Sequence, residues 1–121
     1  MPYKMSINEN KKSVYVSAWG IVSPEEGMKY IAEFMDLTKK VNPTEYYLLL
    51  DGTNLEVSEE NSAVLLEGLL QTYIQLPFKV RYITKFNSPI AQSQFKRLLK
   101  GAYNKHFTPV ETLSDAEKEL M

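Results

Sequence analysis

Tyr3, Met5 and Ile7 alternate with polar residues, and after a polar stretch from Asn8 to Lys12 the alternation resumes at Val14, Val16 and Ala18. Apolar residues at every second position fit strands with one buried face, so this stretch predicts a β-hairpin, closed by Trp19-Gly20. The period then changes. Ser23-Pro24-Glu25-Glu26 supplies a capping serine, a proline suited to the first helical position and a glutamate placed for a capping box. Behind it, Met28, Ile31, Ala32 and Met35 predict one apolar helical stripe, with Glu25, Lys29, Glu33, Asp36 and Lys40 turned to water. Asn42-Pro43 predicts the end of that helix.

Tyr46 to Leu50 is continuously apolar, as expected of a central strand covered on both faces, and Asp51-Gly52 ends it. Ser58 is placed to cap a second helix, with Glu59 and Glu60 at its positive end. Ser62, Leu66, Leu69, Leu70 and Tyr73 form its expected buried stripe, and Pro77 stops it. Phe78 to Thr84 predicts a strand through Val80, Tyr82 and Thr84. Ser88-Pro89 opens a third helix expected to bury Ala91, Phe95, Leu98, Leu99 and Ala102. Val110 to Leu113 predicts a short strand, and Ser114-Asp115-Ala116-Glu117 begins a closing helix with its own capping box. The order is β-β-α-β-α-β-α-β-α. Strands separated by helices favour parallel pairing, so the expected α/β fold is a mixed sheet with an antiparallel hairpin at its start and helices packed on it.

Composition narrows what such a fold could be for. At 121 residues, 44% hydrophobic and 24% charged, the chain is expected to form one globular domain over residues 1–121, and wholesale disorder is excluded. There is no cysteine, which removes thiol nucleophiles, disulfides and zinc–thiolate sites. Met1-Pro2-Tyr3-Lys4 has no apolar run behind its charge and no stretch approaches a membrane span, so a cytoplasmic protein is expected. The lone histidine, His106, is the only residue that could serve a His-based catalytic arrangement, and its place after a helix and before Pro109 reads as a solvent-facing loop. No Gly-rich phosphate loop occurs, and the spacing of Asp51, Glu59 and Glu60 matches no EF-hand. The expectation is therefore a non-enzymatic domain with no metal and no cofactor.

Three junctions carry a resemblance. Val14-Tyr15-Val16-Ser17-Ala18-Trp19-Gly20 followed by Ser23-Pro24-Glu25-Glu26, Leu48-Leu49-Leu50-Asp51-Gly52-Thr53, and the tail Val110-Glu111-Thr112-Leu113-Ser114-Asp115-Ala116-Glu117-Lys118-Glu119-Leu120 occur in an order similar to that of the STAS domain family, with its SpoIIAA-like and anti-sigma-factor-antagonist members. The resemblance implies a STAS-like fold and a regulatory, protein-binding role, with an anti-sigma-factor-like kinase as one class of partner. In the phospho-regulated branch the second helix begins Asp-Ser-Ser-Gly, whereas the matching stretch here is Ser58-Glu59-Glu60-Asn61-Ser62-Ala63. Counting from Asp51 sets Asn61 at the phosphoacceptor position, and counting back from Val64-Leu65-Leu66 sets Glu60 there. The phosphoserine motif is thus degenerate. Asp51, Thr53, Ser58, Glu60, Asn61 and Ser62 are the candidate regulatory loop and helix start, although Asp51 also suits a purely structural role in capping the loop's own amides.

Charge sharpens the picture. The net charge of −1 hides six basic and eleven acidic residues up to position 67, seven basic and none acidic over 68–110, and one basic and four acidic beyond. Lys96, Arg97 and Lys100 therefore define a candidate basic face on the third helix, suited to an anionic small ligand, a lipid surface or an acidic protein partner, while solvation or pairing with the acidic tail would also account for it. Nucleic acid is not expected, since the aromatic residues of that segment fall largely at core-facing positions. The wider resemblance implies a second reading, a SpoIIAA-like small-ligand or lipid-binding domain with an apolar cavity between the sheet and the second and third helices. The unpaired edge of the N-terminal hairpin offers a route to a homodimer.

Overall fold

The structure is a computed structural model that describes residues 3–21, 23–56, 62–98 and 106–114, with backbone alone at 24, 62–66, 91, 94–96 and 98. A five-stranded sheet runs in the order β1-β2-β4-β6-β7. Its strands are β1 (Tyr3–Asn8), β2 (Ser13–Ala18), β4 (Tyr47–Asp51), β6 (Arg81–Thr84) and β7 (Thr108–Val110). The β1–β2 pair is antiparallel, with Met5 opposite Val16, and the remaining three pairs are parallel. This is the mixed sheet the alternation predicts. Two-residue strands β3 (Gly20–Ile21) and β5 (Leu55–Glu56) form a separate small parallel ladder, too short to leave a periodicity in the sequence.

Helices α1 (Pro24–Thr38), α2 (Ser62–Gln75) and α3 (Pro89–Leu98) follow β3, β5 and β6. Ser23 caps α1 as expected: its Oγ accepts the Glu26 N–H at 3.3 Å and donates to Glu26 Oε1 at 3.0 Å. The buried stripe of α1 is not the predicted one. Met28 is 69% exposed and Ala32 is exposed, whereas Gly27, Tyr30, Phe34 and Thr38 are buried. Aromatic rings cause the shift. Tyr30 packs edge-on to Tyr3 at 5.1 Å and stacks on Phe34, which in turn meets Tyr73 of α2 edge-on at 5.1 Å. Burying rings of this size contributes more than burying the Met28 thioether, so the helix rotates to suit them. The helix ends at Thr38, before Asn42, which instead caps a 3₁₀ turn over Pro43–Glu45.

Two smaller differences concern strands. Strand β6 starts at Arg81 instead of Phe78, although Lys79 and Val80 already exchange backbone bonds with Tyr46 and Leu48, and β7 lies at Thr108–Val110 instead of Val110 to Leu113. The predicted closing helix after Ser114 lies outside the described residues, as do the side chains of Ala91, Phe95, Leu98, Leu99 and Ala102.

The core lies between one face of the sheet and helices α1 and α2. Val14, Val16, Leu48, Leu50 and Ile83 meet Tyr30, Phe34, Leu69, Leu70 and Tyr73 there. On the other face Leu49 and Tyr82 are buried among Tyr15, Tyr47, Val80, Val110 and Leu113. A central strand covered on both faces explains why Tyr46 to Leu50 shows no alternation.

Arg81 is the residue whose role the sequence does not announce. Only 9% exposed, it donates from Nε to the Tyr73 carbonyl at 2.8 Å and from Nη2 to those of Ile74 and Leu76 at 3.1 and 2.6 Å. Nη1 reaches the His106 carbonyl at 3.5 Å. The last carbonyls of a helix lack intrahelical partners and carry its partial negative charge, and a guanidinium satisfies several at once. Burial lowers the Arg81 pKa from its ordinary value, yet a guanidinium remains charged at any pH a protein survives.

Candidate functional site

The loops at the carboxyl ends of β2, β4 and β6 meet around Asp51. One carboxylate oxygen of Asp51 accepts from the Thr53 hydroxyl at 2.7 Å, the Thr53 N–H at 3.1 Å and the Thr84 hydroxyl at 3.4 Å. The Thr84 oxygen in turn accepts the Gly52 N–H at 3.0 Å. The Thr53 hydroxyl also stands 3.2 Å from the Thr84 oxygen, and with a single hydrogen to donate it favours the shorter contact to the Asp51 carboxylate. The Asx-type turn is then tied to its neighbours: Gly20 N–H donates to the Asn54 carbonyl at 3.0 Å and Asn87 N–H to the Thr53 carbonyl at 2.8 Å. Asn87 Nδ2 adds a bond to Asn54 Oδ1 at 3.2 Å. Gly20, at φ 77°, makes the sharp entry into β3 that brings its amide there.

Asp51 and Thr53 are thus brought together, in the capping role open to Asp51 from sequence. Thr84, Asn54 and Asn87 complete the cluster and were not anticipated. A hydroxyl at the end of a strand predicted to pair with β4 is the signal that could have found Thr84. Ser62 is the first residue of α2, and Ser58, Glu60 and Asn61 lie outside the described residues. Of the basic face, Arg97 is exposed on α3, Lys96 contributes backbone only, and Lys100 lies outside the described residues.

Three other members of the basic segment have partners within the fold. Arg81 holds the end of α2, Lys79 Nζ stands 5.7 Å from the Tyr47 ring centroid, and Lys85 pairs with Glu111 at 2.6 Å. The Lys85–Glu111 pair is well exposed and contributes at most about 1 kcal/mol. It nevertheless places one acid of the C-terminal segment against the basic segment.

His106 is exposed just ahead of β7, whereas Asp51 ends β4. Because β4, β6 and β7 are parallel, with Leu49 opposite Tyr82 and Tyr82 opposite Thr108, His106 belongs at the amino end of the sheet. Asp51 is level with Val110, four residues further along, or about 13 Å at strand rise. The two cannot share a proton. Among the described residues no group of three His, Asp or Glu side chains is placed to hold a metal ion, and no helix is long and apolar enough to cross a membrane.

Beneath the Asp51 turn lies an apolar cavity of about 50 Å³, lined by β2, β4 and β6 on one side and by Tyr30, Leu69, Leu70 and Tyr73 on the other. Among the described residues its helical lining comes from α1 and α2; the side chains of α3 that would face it lie outside them. The cavity's volume is well below the roughly 150 Å³ of an engineered apolar cavity that takes benzene. At its edge Tyr30 and Tyr73 share a buried hydrogen bond between their hydroxyls.

Nearly the whole chain matches known structures despite low identity. An anti-sigma factor antagonist from Mycobacterium paratuberculosis matches with a TM-score of 0.69 at 16% identity, covering 98% of this chain and 94% of that one. The anti-sigma factor antagonist SpoIIAA in its unphosphorylated form matches with a TM-score of 0.65 at 12% identity, covering 98% and 96%. An uncharacterised protein of SpoIIAA-like fold from Shewanella loihica gives 0.65 at 15% identity, covering 99% and 93%. No family model matches the sequence, and no curated protein matches it. The chain therefore has a SpoIIAA-like, STAS-type fold, as its three junctions predict.

Proposed function

We propose that this chain is a non-enzymatic STAS-like regulatory domain that binds a protein partner through the loops at the carboxyl ends of β4 and β6 and the adjoining start of α2. The observation that carries this reading is the near end-to-end match to anti-sigma factor antagonists, with both chains covered by more than nine-tenths in the first of them. Two features support it. The one histidine and the Asp51 carboxylate sit at opposite ends of the sheet, which leaves no nucleophile–base pair between them. Asp51 itself is committed to its turn, so the turn presents a shaped surface. The partner is an anti-sigma-factor-like protein recognised without a phosphoserine switch, since neither Glu60 nor Asn61 accepts phosphate as serine does. Arg97 on α3 supplies charge at the rim.

Titration calorimetry of the purified domain against the anti-sigma-factor-like kinases of its source organism tests this. One of them is expected to bind at micromolar affinity or tighter. Asn61→Trp or Arg97→Glu should weaken that binding at least tenfold, and Arg97→Glu, at an exposed position, should leave the melting temperature within about 2 °C. Binding by none of these kinases, or full binding by both variants, overturns the proposal.

A further inference from the structure

The cavity and the Arg81 clamp lie under the same helix, and together they make its two ends unequal. At the C-terminal turn, three carbonyls of α2 and of the segment leaving it, those of Tyr73, Ile74 and Leu76, are held to β6 by one buried guanidinium. Charge-assisted bonds to a planar fork leave that turn little freedom. The Tyr73 hydroxyl adds its bond to Tyr30 of α1. One turn earlier the situation reverses. Leu69 and Leu70 are buried yet border the void, with Val16, Leu50 and Ile83 across it. The space beside them is apolar and small, so their side chains lack contacts on that side and can settle inward without breaking any hydrogen bond.

The far end of the same void is bounded by Gly52, Leu55 and Phe86, the underside of the Asp51–Thr53 turn. Phe86 packs so closely on Gly52 that a β-carbon there would stand 2.6 Å from its ring. Any inward movement of Leu69 and Leu70 therefore presses on groups that hold the turn.

We propose that α2 is a hinged helix, fixed at its C-terminal turn by Arg81 and able to settle into the cavity at Leu69 and Leu70, and that this movement couples the helix to the Asp51–Thr53 turn. The coupling regulates the docking surface and rests on the function proposed above; the hinge itself does not. A helix that settles into the cavity has an outward and an inward arrangement, and a partner that favours the inward one shifts the population toward it.

High-pressure NMR of the isolated domain, to about 2 kbar, tests the hinge, because pressure favours states that eliminate internal void. Amide shifts are expected to curve with pressure at residues 66–72 and 52–55 and to stay linear at 73–76. Val16→Ile, which adds one methylene to the void, should at least halve the curvature, and Ala18→Val is a second filling variant. Curvature as large at 73–76 as at 66–72, or undiminished in both variants, overturns the hinge. If neither variant folds, the wild-type map decides alone, since localisation is the claim. The coupling is read from partner affinity. Both filled variants should bind the kinase partner at least threefold more weakly, and unchanged affinity with flattened curvature overturns the coupling. Failure of every kinase to bind defeats the functional reading and leaves the pressure map standing.

Discussion

Gly52 has no room for a side chain. A β-carbon there would meet Phe86 Cε1 at 2.6 Å, and Phe86 is itself buried, with its backbone N–H bound to Gln92 Oε1 at 2.8 Å. The ring can make room only by shifting toward the cavity it borders, out of its packed position. Gly52→Ala is expected to cost about 1–3 kcal/mol in urea denaturation, and Phe86→Leu in the same chain should recover part of it. A measured change below about 0.5 kcal/mol would mean that the ring yields freely. Glycine at this point was legible as a strand terminator, but the contact that demands it was not, because Phe86 arrives from a loop thirty-four residues later. Arg81 was hidden for a related reason. Counted by charge it joins a basic surface, yet an arginine inside a predicted central strand has to find buried acceptors. The helix end that supplies them is close by in sequence, with Tyr73 eight residues earlier.

At the scale of elements, caps and breaks were the readable part. Ser23, Pro24 and Glu26 start α1 where the sequence places its start, and Ser13–Ala18 is strand from end to end. The face of α1 was not readable from hydropathy, since Tyr30 carries a hydroxyl that counts against it. Only the structure brings Tyr73 within reach of that hydroxyl. Helix α2 offers a cleaner test of local preference. A β-carbon on Gly68 would meet nothing within 4 Å. Gly68→Ala should therefore stabilise the domain by about 0.5–1 kcal/mol, the usual difference between the two residues inside a helix, as read from the denaturation midpoint at unchanged slope. A loss of stability would show that the position tolerates no added volume.

For the molecule as a whole, the buried phenols set an alkaline limit. Burial pushes the Tyr30 hydroxyl well above its ordinary range, with Tyr73 adding to the effect, and burial likewise raises Tyr73. Desolvation and the neighbouring Glu33 carboxylate push Tyr3 up to about 12. In the unfolded chain the same groups ionise near pH 10. Above that pH the unfolded state binds fewer protons than the folded one, so stability is fully present below about pH 10 and falls as pH rises beyond it. The logarithm of the unfolding constant should climb by about two to three per pH unit between roughly pH 10.5 and 12. Replacing both Tyr30 and Tyr73 with phenylalanine, which removes both partners of one bond, should lower that slope by about two with little change at pH 7. An unaltered slope would exclude these two groups as its source.

The sheet's connectivity has a consequence in time. Three of its four pairings are parallel, and each joins strands separated by a helix, so each must close a long loop before any contact repays the lost entropy. Only the β1–β2 hairpin is local, and its pairing can form in microseconds. That hairpin turns through Lys12, at φ 51°, a left-handed conformation uncommon for a residue with a side chain, and the Lys12 carbonyl later receives the Tyr47 N–H at 2.8 Å. Strand β2, to which β4 later pairs, therefore begins beside an acceptor that its next neighbour uses. An exposed lysine just before β2 thus supplies one of the bonds by which β4 joins the hairpin.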